Sequence, residues 1–257
     1  MGTFSKNADG LVQHYGARDA TGEHKLDNER EVSNLCIFDD FLYSGAFEAS
    51  SPWILHAGTD AQAIDPAIVA GVTNGVVRLT AGNNSGTYAE DASQLVGQTG
   101  MYINNGGLFM EAKIKCVTNT DTMSINVGFT DSGAREEPFS VSGTTVTSTA
   151  TDGVCFTYDT AATTDQWYCL GVDTNTDATG NGLSGVAPST SYQTLRIEIG
   201  ADGNTAKFFI NGAKVGELTG SVSAASTALF PTITVNSTTT TSKSVDVDYI
   251  SCGTLRV

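Results

Sequence analysis

Histidine is scarce in this chain of 257 residues: His14, His24 and His56 are all there is. Two of the three fall near the N-terminus, so no Ser/His/Asp relay is indicated. Cysteine is sparse and odd in number, with Cys36, Cys116, Cys155, Cys169 and Cys252 and no CxxC pair. An odd count without close spacing reads as free thiols made in a reducing cytoplasm, not as a disulfide framework or a zinc site. Positive charge is short as well: 13 Lys and Arg face 28 Asp and Glu, for a net charge of −15. That balance excludes the basic face that tracks nucleic-acid phosphates and the polybasic stretch that binds a membrane surface. No run approaches the roughly 18 apolar residues of a membrane-spanning helix. The first sixteen residues hold no apolar stretch of a secretory signal, so the expectation is synthesis in the cytoplasm without a membrane partner. No Gly-rich phosphate loop precedes a helix.

What remains is rich in Thr, Ser, Asn and Gly, with 40% hydrophobic residues and only 16% charged. Thr favours strands and Gly and Asn favour turns, so the composition is all-β. The length suits one large β domain with or without an arm. Such a chain buries roughly 70–75% of its unfolded surface and needs no disulfide or metal staple. Residues 1–34 stand apart. Their apolar positions are too thinly spread to build a core. They carry spaced anchors (Phe4, Leu11, Tyr15) and cations (Lys6, Arg18, Lys25, Arg30). The segment reads as an extended N-terminal arm with one short helix over residues 26–32, followed by a β domain over residues 35–257.

Period-2 alternation begins beyond Cys36. Leu108, Met110, Ala112, Ile114 and Cys116 point one way, and Phe109, Glu111, Lys113 and Lys115 the other. Met123, Ile125, Val127 and Phe129 repeat the rule. So do Val154, Phe156 and Tyr158, then Tyr168, Leu170 and Val172, then Leu195, Ile197 and Ile199, and finally Val245, Val247 and Tyr249. Such alternation marks sheets with a buried face, and strands parted by Gly/Asn/Asp turns predict a sandwich. Asn211-Gly212 supplies the positive-φ pair of a type I′ hairpin, and Asp202-Gly203-Asn204 closes the hairpin before it. Residues 59–71, 83–106, 131–151 and 174–191 read as long loops, with one or two helical turns near residues 89–96.

Several pieces in order resemble a known family. They are Phe38-Asp39-Asp40-Phe41, Asn74-Gly75-Val76-Val77-Arg78-Leu79, Val127-Gly128-Phe129-Thr130-Asp131, Phe208-Phe209-Ile210-Asn211-Gly212 and the closing Val247-Asp248-Tyr249-Ile250. Their order is similar to that of the concanavalin A-like jelly roll of legume lectins, laminin-G-like modules and family-16 glucanases. The resemblance implies a jelly-roll sandwich of two antiparallel sheets. It does not by itself imply a function. The family-16 catalytic run Glu-x-Asp-x-x-Glu is missing. The retaining mechanism needs two carboxyls about 5–5.5 Å apart. Asp246 and Asp248 are the one i,i+2 acidic pair of the later strands, and they read as solvated strand residues. Asp173-Thr174-Asn175-Thr176-Asp177 has the alternating oxygen ligands calcium takes but lacks the glycine and distal glutamate of an EF-hand loop; it reads as an acidic turn, with calcium left open. Trp53, Trp167 and Tyr168 read as core aromatics, with stacking on a sugar as the alternative.

The combination of free thiols, no catalytic or metal residues, no cofactor, and an arm before a compact sandwich resembles the capsid decoration or cement proteins of tailed bacteriophages. The expectation is a non-enzymatic virion structural protein on the outer capsid surface. Its partners would be the major capsid protein and copies of itself. Phe4, Lys6, Leu11, Tyr15 and Arg18 are the expected capsid contacts. The alternatives are a lectin-like, glycan-binding module, and then a family-16-like glycosidase with a displaced acid pair.

Overall fold

The alternation read along residues 108–116 is realised in a computed structural model by a nine-residue strand that buries every second side chain. The structure describes residues 4–6, 12–14, 36–43, 47, 51–72, 75–83, 87–178, 180–220 and 222–255. In chain order the strands are β1 (Phe4–Lys6), β2 (Val12–His14), β3 (Cys36–Asp39), β4 (Trp53–Ala57), β5 (Ile64–Ile68), β6 (Val77–Thr80), β7 (Ser93–Gly97), β8 (Met101–Tyr102), β9 (Leu108–Cys116), β10 (Met123–Thr130) and β11 (Phe139–Ser142). They continue as β12 (Thr145–Ser148), β13 (Gly153–Asp159), β14 (Tyr168–Asp173), β15 (Thr176–Asp177), β16 (Gly182–Leu183), β17 (Gln193–Ile199), β18 (Thr205–Ile210), β19 (Ala213–Thr219), β20 (Ala228–Ser237) and β21 (Ser244–Thr254). A single-turn helix, α1 (Tyr88–Asp91), leads into β7.

Two large antiparallel sheets result. One runs β15-β14-β13-β10-β20-β7-β4, with β16 on β14 and β8 on β20, nine strands in all. The other runs β19-β18-β17-β9-β21-β6-β5, with β3 on β21, eight strands in all. This is the jelly-roll sandwich read from the sequence. The inner faces share one core. Leu108, Met110, Ile114, Ile125, Val127, Phe129, Phe156, Leu195, Ile197 and Phe208 are all buried in it. The Phe156 and Phe208 rings meet edge to face at 5.0 Å, the arrangement that their quadrupoles favour. Asn211-Gly212 forms the predicted turn, with both residues at positive φ.

The structure departs from the sequence reading in specific places. The stretches expected as loops contain β5, β7, β8, the β11–β12 hairpin and the two-residue strands β15 and β16. The helix near residue 89 lasts one turn, because Ser93–Gly97 pairs with both β4 and β20. Residues 228–237, on which the sequence reading was silent, form β20, a ten-residue strand that carries Pro231 opposite Phe129 although proline lacks the ladder N–H. A bulge between Val247 and Tyr249 turns Tyr249 outward and Ile250 inward. Along β14 the alternation holds, but its apolar face does not meet the shared core. Tyr168, Leu170 and Val172 pack with Phe139, Val141, Ala150 and Cys155 in a second, smaller cluster. The β11–β12 hairpin therefore covers the outer face of the nine-stranded sheet. In the arm, β1 pairs with β2, Phe4 opposite His14. Leu11, Tyr15, Arg18 and the helix expected over residues 26–32 lie outside the described residues.

Candidate functional site

The residues singled out from sequence are held in structural roles. Asp246 is nearly buried on the outer face of the eight-stranded sheet. It accepts two bonds from Arg78, at 2.6 and 3.0 Å, and lies 3.7 Å from Lys115. Asp248 pairs with Lys113 at 2.6 Å. Both carboxylates are thus bound by cations instead of facing a substrate. Asp173 pairs with Thr176 across a tight hairpin turn between β14 and β15, whose central Thr174 and Asn175 have φ of 49° and 61°, and Asp177 sits one step on, opposite Val172. The run folds as a turn, and no group of three metal-ligating side chains forms among the described residues. Trp53 and Trp167 are each 1% exposed and belong to the core.

The outer face of the nine-stranded sheet holds what the sequence reading missed. Register places His56, Gln94, Thr234, Asn126, Thr157 and Tyr168 side by side across β4, β7, β20, β10, β13 and β14. Period-2 alternation puts this polar rung on the outer face because its strand neighbours fill the core. Yet Gln94, Thr234, Asn126 and Thr157 are fully buried. Residues 135–150 cover them together with Tyr88 of α1, whose hydroxyl donates to Gln94 Oε1 at 3.1 Å. Arg135 donates to the Ala57 carbonyl, and the Glu136 amide donates to Gln94 Oε1 at 3.1 Å. Thr130 donates to Glu136, and Ser124 to Glu137 at 2.8 Å. Asn126 Nδ2 donates to the Phe139 carbonyl at 3.0 Å, anchoring the hairpin that follows. Burial, aided by nearby Asp131, pushes the Glu136 carboxyl up to about 7. Burial likewise pushes Glu137 up to about 7, with Asp159 adding to the rise and the Ser124 bond opposing it.

Two raised carboxyls suggest acid–base chemistry, but their spacing does not serve glycoside hydrolysis. Ser124 and Thr130 are six residues apart on β10, or roughly 20 Å at strand rise. Each hydroxyl bonds a different glutamate, which leaves the two carboxyls more than about 10 Å apart. A retaining pair needs about 5–5.5 Å and an inverting pair about 6.5–9.5 Å.

A second polar cluster lies at the rim, where the loop after β4 meets α1. The Asp60 amide bonds the Glu90 carbonyl at 2.9 Å, tying that loop to the helix. The Asp60 carboxylate accepts from the amides of Gln62 at 3.0 Å and Asn83 at 2.8 Å. Those backbone donors, with a smaller contribution from a bond to Asp91, hold its carboxyl below the usual range. Gly82 lies against both acids. A Cβ there would sit 2.6 Å from Asp91 Oδ1 and 2.8 Å from Asp60 Oδ2. Only glycine lets the two carboxyls converge. Nothing in the sequence marks the trio, because Asp60, Asn83 and Asp91 come from three separate segments.

No protein-family model matches the chain. No curated protein matches it in sequence either. Solved structures do match it in fold. The fold is the concanavalin A-like jelly roll of lectin and glucanase domains. The carbohydrate recognition domain of Emp47p is similar over 86% of this chain and 95% of its own, with a TM-score of 0.58 at 14% identity. The β-glucanase of Bacillus licheniformis is similar over 86% of this chain and 98% of its own, at 0.56 and 13%. A chain from work on endo-acting O-glycanases of the human gut microbiota that initiate mucin breakdown matches over 85% and 98%, at 0.58 and 10%. At such identities the likeness is one of fold.

Proposed function

We propose that the protein is a non-catalytic, lectin-like module that binds carbohydrate at the rim formed by Asp60, Gly82, Asn83 and Asp91. The observation that carries this reading is the rim cluster itself. It sets a half-buried carboxylate, kept ionised by backbone donors, against the Asn83 backbone amide and the fully buried Asp91 carboxyl. A carboxylate accepts hydrogen bonds from two neighbouring hydroxyls, and such charge-assisted bonds are about twice as strong as neutral ones. That is the contact a sugar diol offers. The fold shared with an Emp47p recognition domain and with glycanases agrees with this class of ligand. The absence of turnover is supported by the filled outer face and by the wide spacing of Glu136 and Glu137. The test is a glycan array followed by calorimetry on the best ligand. Asp60→Ala should weaken binding at least about tenfold, the cost of one charged hydrogen bond. No binding to any glycan, or unchanged affinity in the variant, would refute the assignment.

Capsid decoration is a second reading. The arm would then attach the protein to a major capsid protein. Charge gives little help, because residues 1–34 also hold Asp9, Asp19, Glu23, Asp27, Glu29 and Glu31 beside their four cations. Deleting residues 2–34 should abolish co-sedimentation with undecorated capsids while leaving the melting curve of the sandwich intact. Retained occupancy would remove this reading.

A further inference from the structure

The segment that closes the outer face is held unlike the rest of the fold. Among the described residues, positions 132–137 make no backbone–backbone hydrogen bond. They are held by side chains: Arg135 to Ala57, the Glu136 amide to Gln94, Glu136 to Thr130 and Glu137 to Ser124. The segment leaves β10 through Ser132-Gly133-Ala134, small residues whose amide hydrogen bonds are local, Ser132 N–H to Thr130 Oγ1 at 3.4 Å and Ala134 N–H to Ser132 Oγ at 3.1 Å, which permits a hinge. It ends at Pro138, where the β11–β12 hairpin is fastened by its apolar cluster and by Asp159, which accepts from the Val141 amide at 3.0 Å. We propose that residues 132–137 are a proton-operated latch, closed over the polar rung in mild acid and released in mild alkali.

The groups around the latch fix the direction. Asp131 and Asp152 face it from its start and Asp159 from β13, all acidic. Tyr88 of α1 is kept neutral by burial, as is Cys155 of β13. His56 of β4 neighbours Gln94. Arg135 is the cation nearest in the chain, and it is engaged with the Ala57 carbonyl. Ionised Glu136 and Glu137 therefore gain water but lose no cation when the latch lifts. Burial pushes both carboxyls up to about 7, the window in which this choice is made. The floor favours opening too. Asn236 Oδ1 and His56 Nε2 are buried without a hydrogen-bond partner, and Asn236 is the register partner of Ser124. Water admitted by the open latch would satisfy both, lowering the cost of release.

Hydrogen–deuterium exchange of the full chain at pH 5.5 and 8.5, corrected for intrinsic rates, tests the latch without reference to any ligand. Peptides over residues 132–137 should lose at least about tenfold in protection at the higher pH, the effect of one pKa unit. Those of β10 and β13 should not change. The Glu136→Gln, Glu137→Gln double variant should keep its protection at both pH values. Equal protection of the wild type, or an unaltered pH response in the variant, would overturn the proposal. If the variant does not fold, carbon-detected titration of the wild-type glutamates decides. Two midpoints near 7 support the latch, and midpoints of ordinary glutamates refute it.

Discussion

Asp39 is where the opening strand is fastened to the sandwich, and its removal is the sharpest test of how the fold is held. Its carboxylate is nearly buried and accepts three bonds. Oδ1 takes the Phe41 amide at 2.8 Å; Oδ2 takes the Trp53 indole at 2.8 Å and the Tyr43 hydroxyl at 2.5 Å. The bond to Phe41 matters doubly, since Phe41 has φ of 55° with its ring in the core, a conformation that costs a non-glycine residue about 1–2 kcal/mol. Asp39→Ala leaves the indole N–H and the Phe41 N–H buried without partners. Tyr43 is half-exposed and turns to water. Each orphaned donor costs about 1–3 kcal/mol, so the variant should lose about 3–5 kcal/mol. Asp39→Asn keeps the shape and one acceptor. Its oxygen can hold the indole, while its NH2 then faces the Phe41 N–H, so about 1–2 kcal/mol is expected from one lost bond. Urea unfolding followed by tryptophan fluorescence measures both. A loss below about 1 kcal/mol in Asp39→Ala, or equal losses in the two variants, would refute the reasoning.

Other outcomes follow from single features. Phe208→Ala removes a fully buried ring packed on Phe156 and should cost about 3–5 kcal/mol in the same assay. Stability should fall as pH rises. The folded state holds the Glu137 proton up to about 7 against an ordinary 4.5, so stability is full below the ordinary value and is lost towards and above pH 7. The ceiling is roughly 3 kcal/mol, less whatever the opening latch relieves; melting scans of Glu137→Gln should show a flatter profile. Native protein should expose one accessible thiol, Cys36, slowed by the partial burial that raises it above the ordinary range, and urea should release the other four, Cys116, Cys155, Cys169 and Cys252; a disulfide-exchange reagent counts them, and a second thiol titrating in the native protein would contradict the packing.

The two carboxylate clusters differ in how they meet water, and this separates their roles. Asp60 accepts from backbone amides at the surface, so it stays charged and available. Glu136 and Glu137 accept from hydroxyls under cover, so burial outweighs hydrogen bonding and their charge is suppressed. The first arrangement suits recognition of a neutral polar ligand. The second suits a change with pH.

Alternation along β9, β10, β13 and β17, together with the Asn211-Gly212 turn, determined the sandwich from sequence alone, because period-2 burial and φ > 0 at a tight turn are local properties. The core residues followed from the same rule. It failed where local pattern and burial part company. At Val247–Tyr249 a bulge adds a residue and reverses the faces. Along β14 the apolar face meets a hairpin from residues 139–148 instead of the opposite sheet. Asp246 looked like a free acid because its partner Arg78 lies 168 positions away. Glu136 and Glu137 looked like loop charges until the chain laid them over the rung from His56 to Tyr168. Likewise Asp60, Asn83 and Asp91 gained a shared site only when three segments met at Gly82. Which polar residues become a site depends on long-range strand register, and register is set by the packing of the whole sandwich rather than by any one segment.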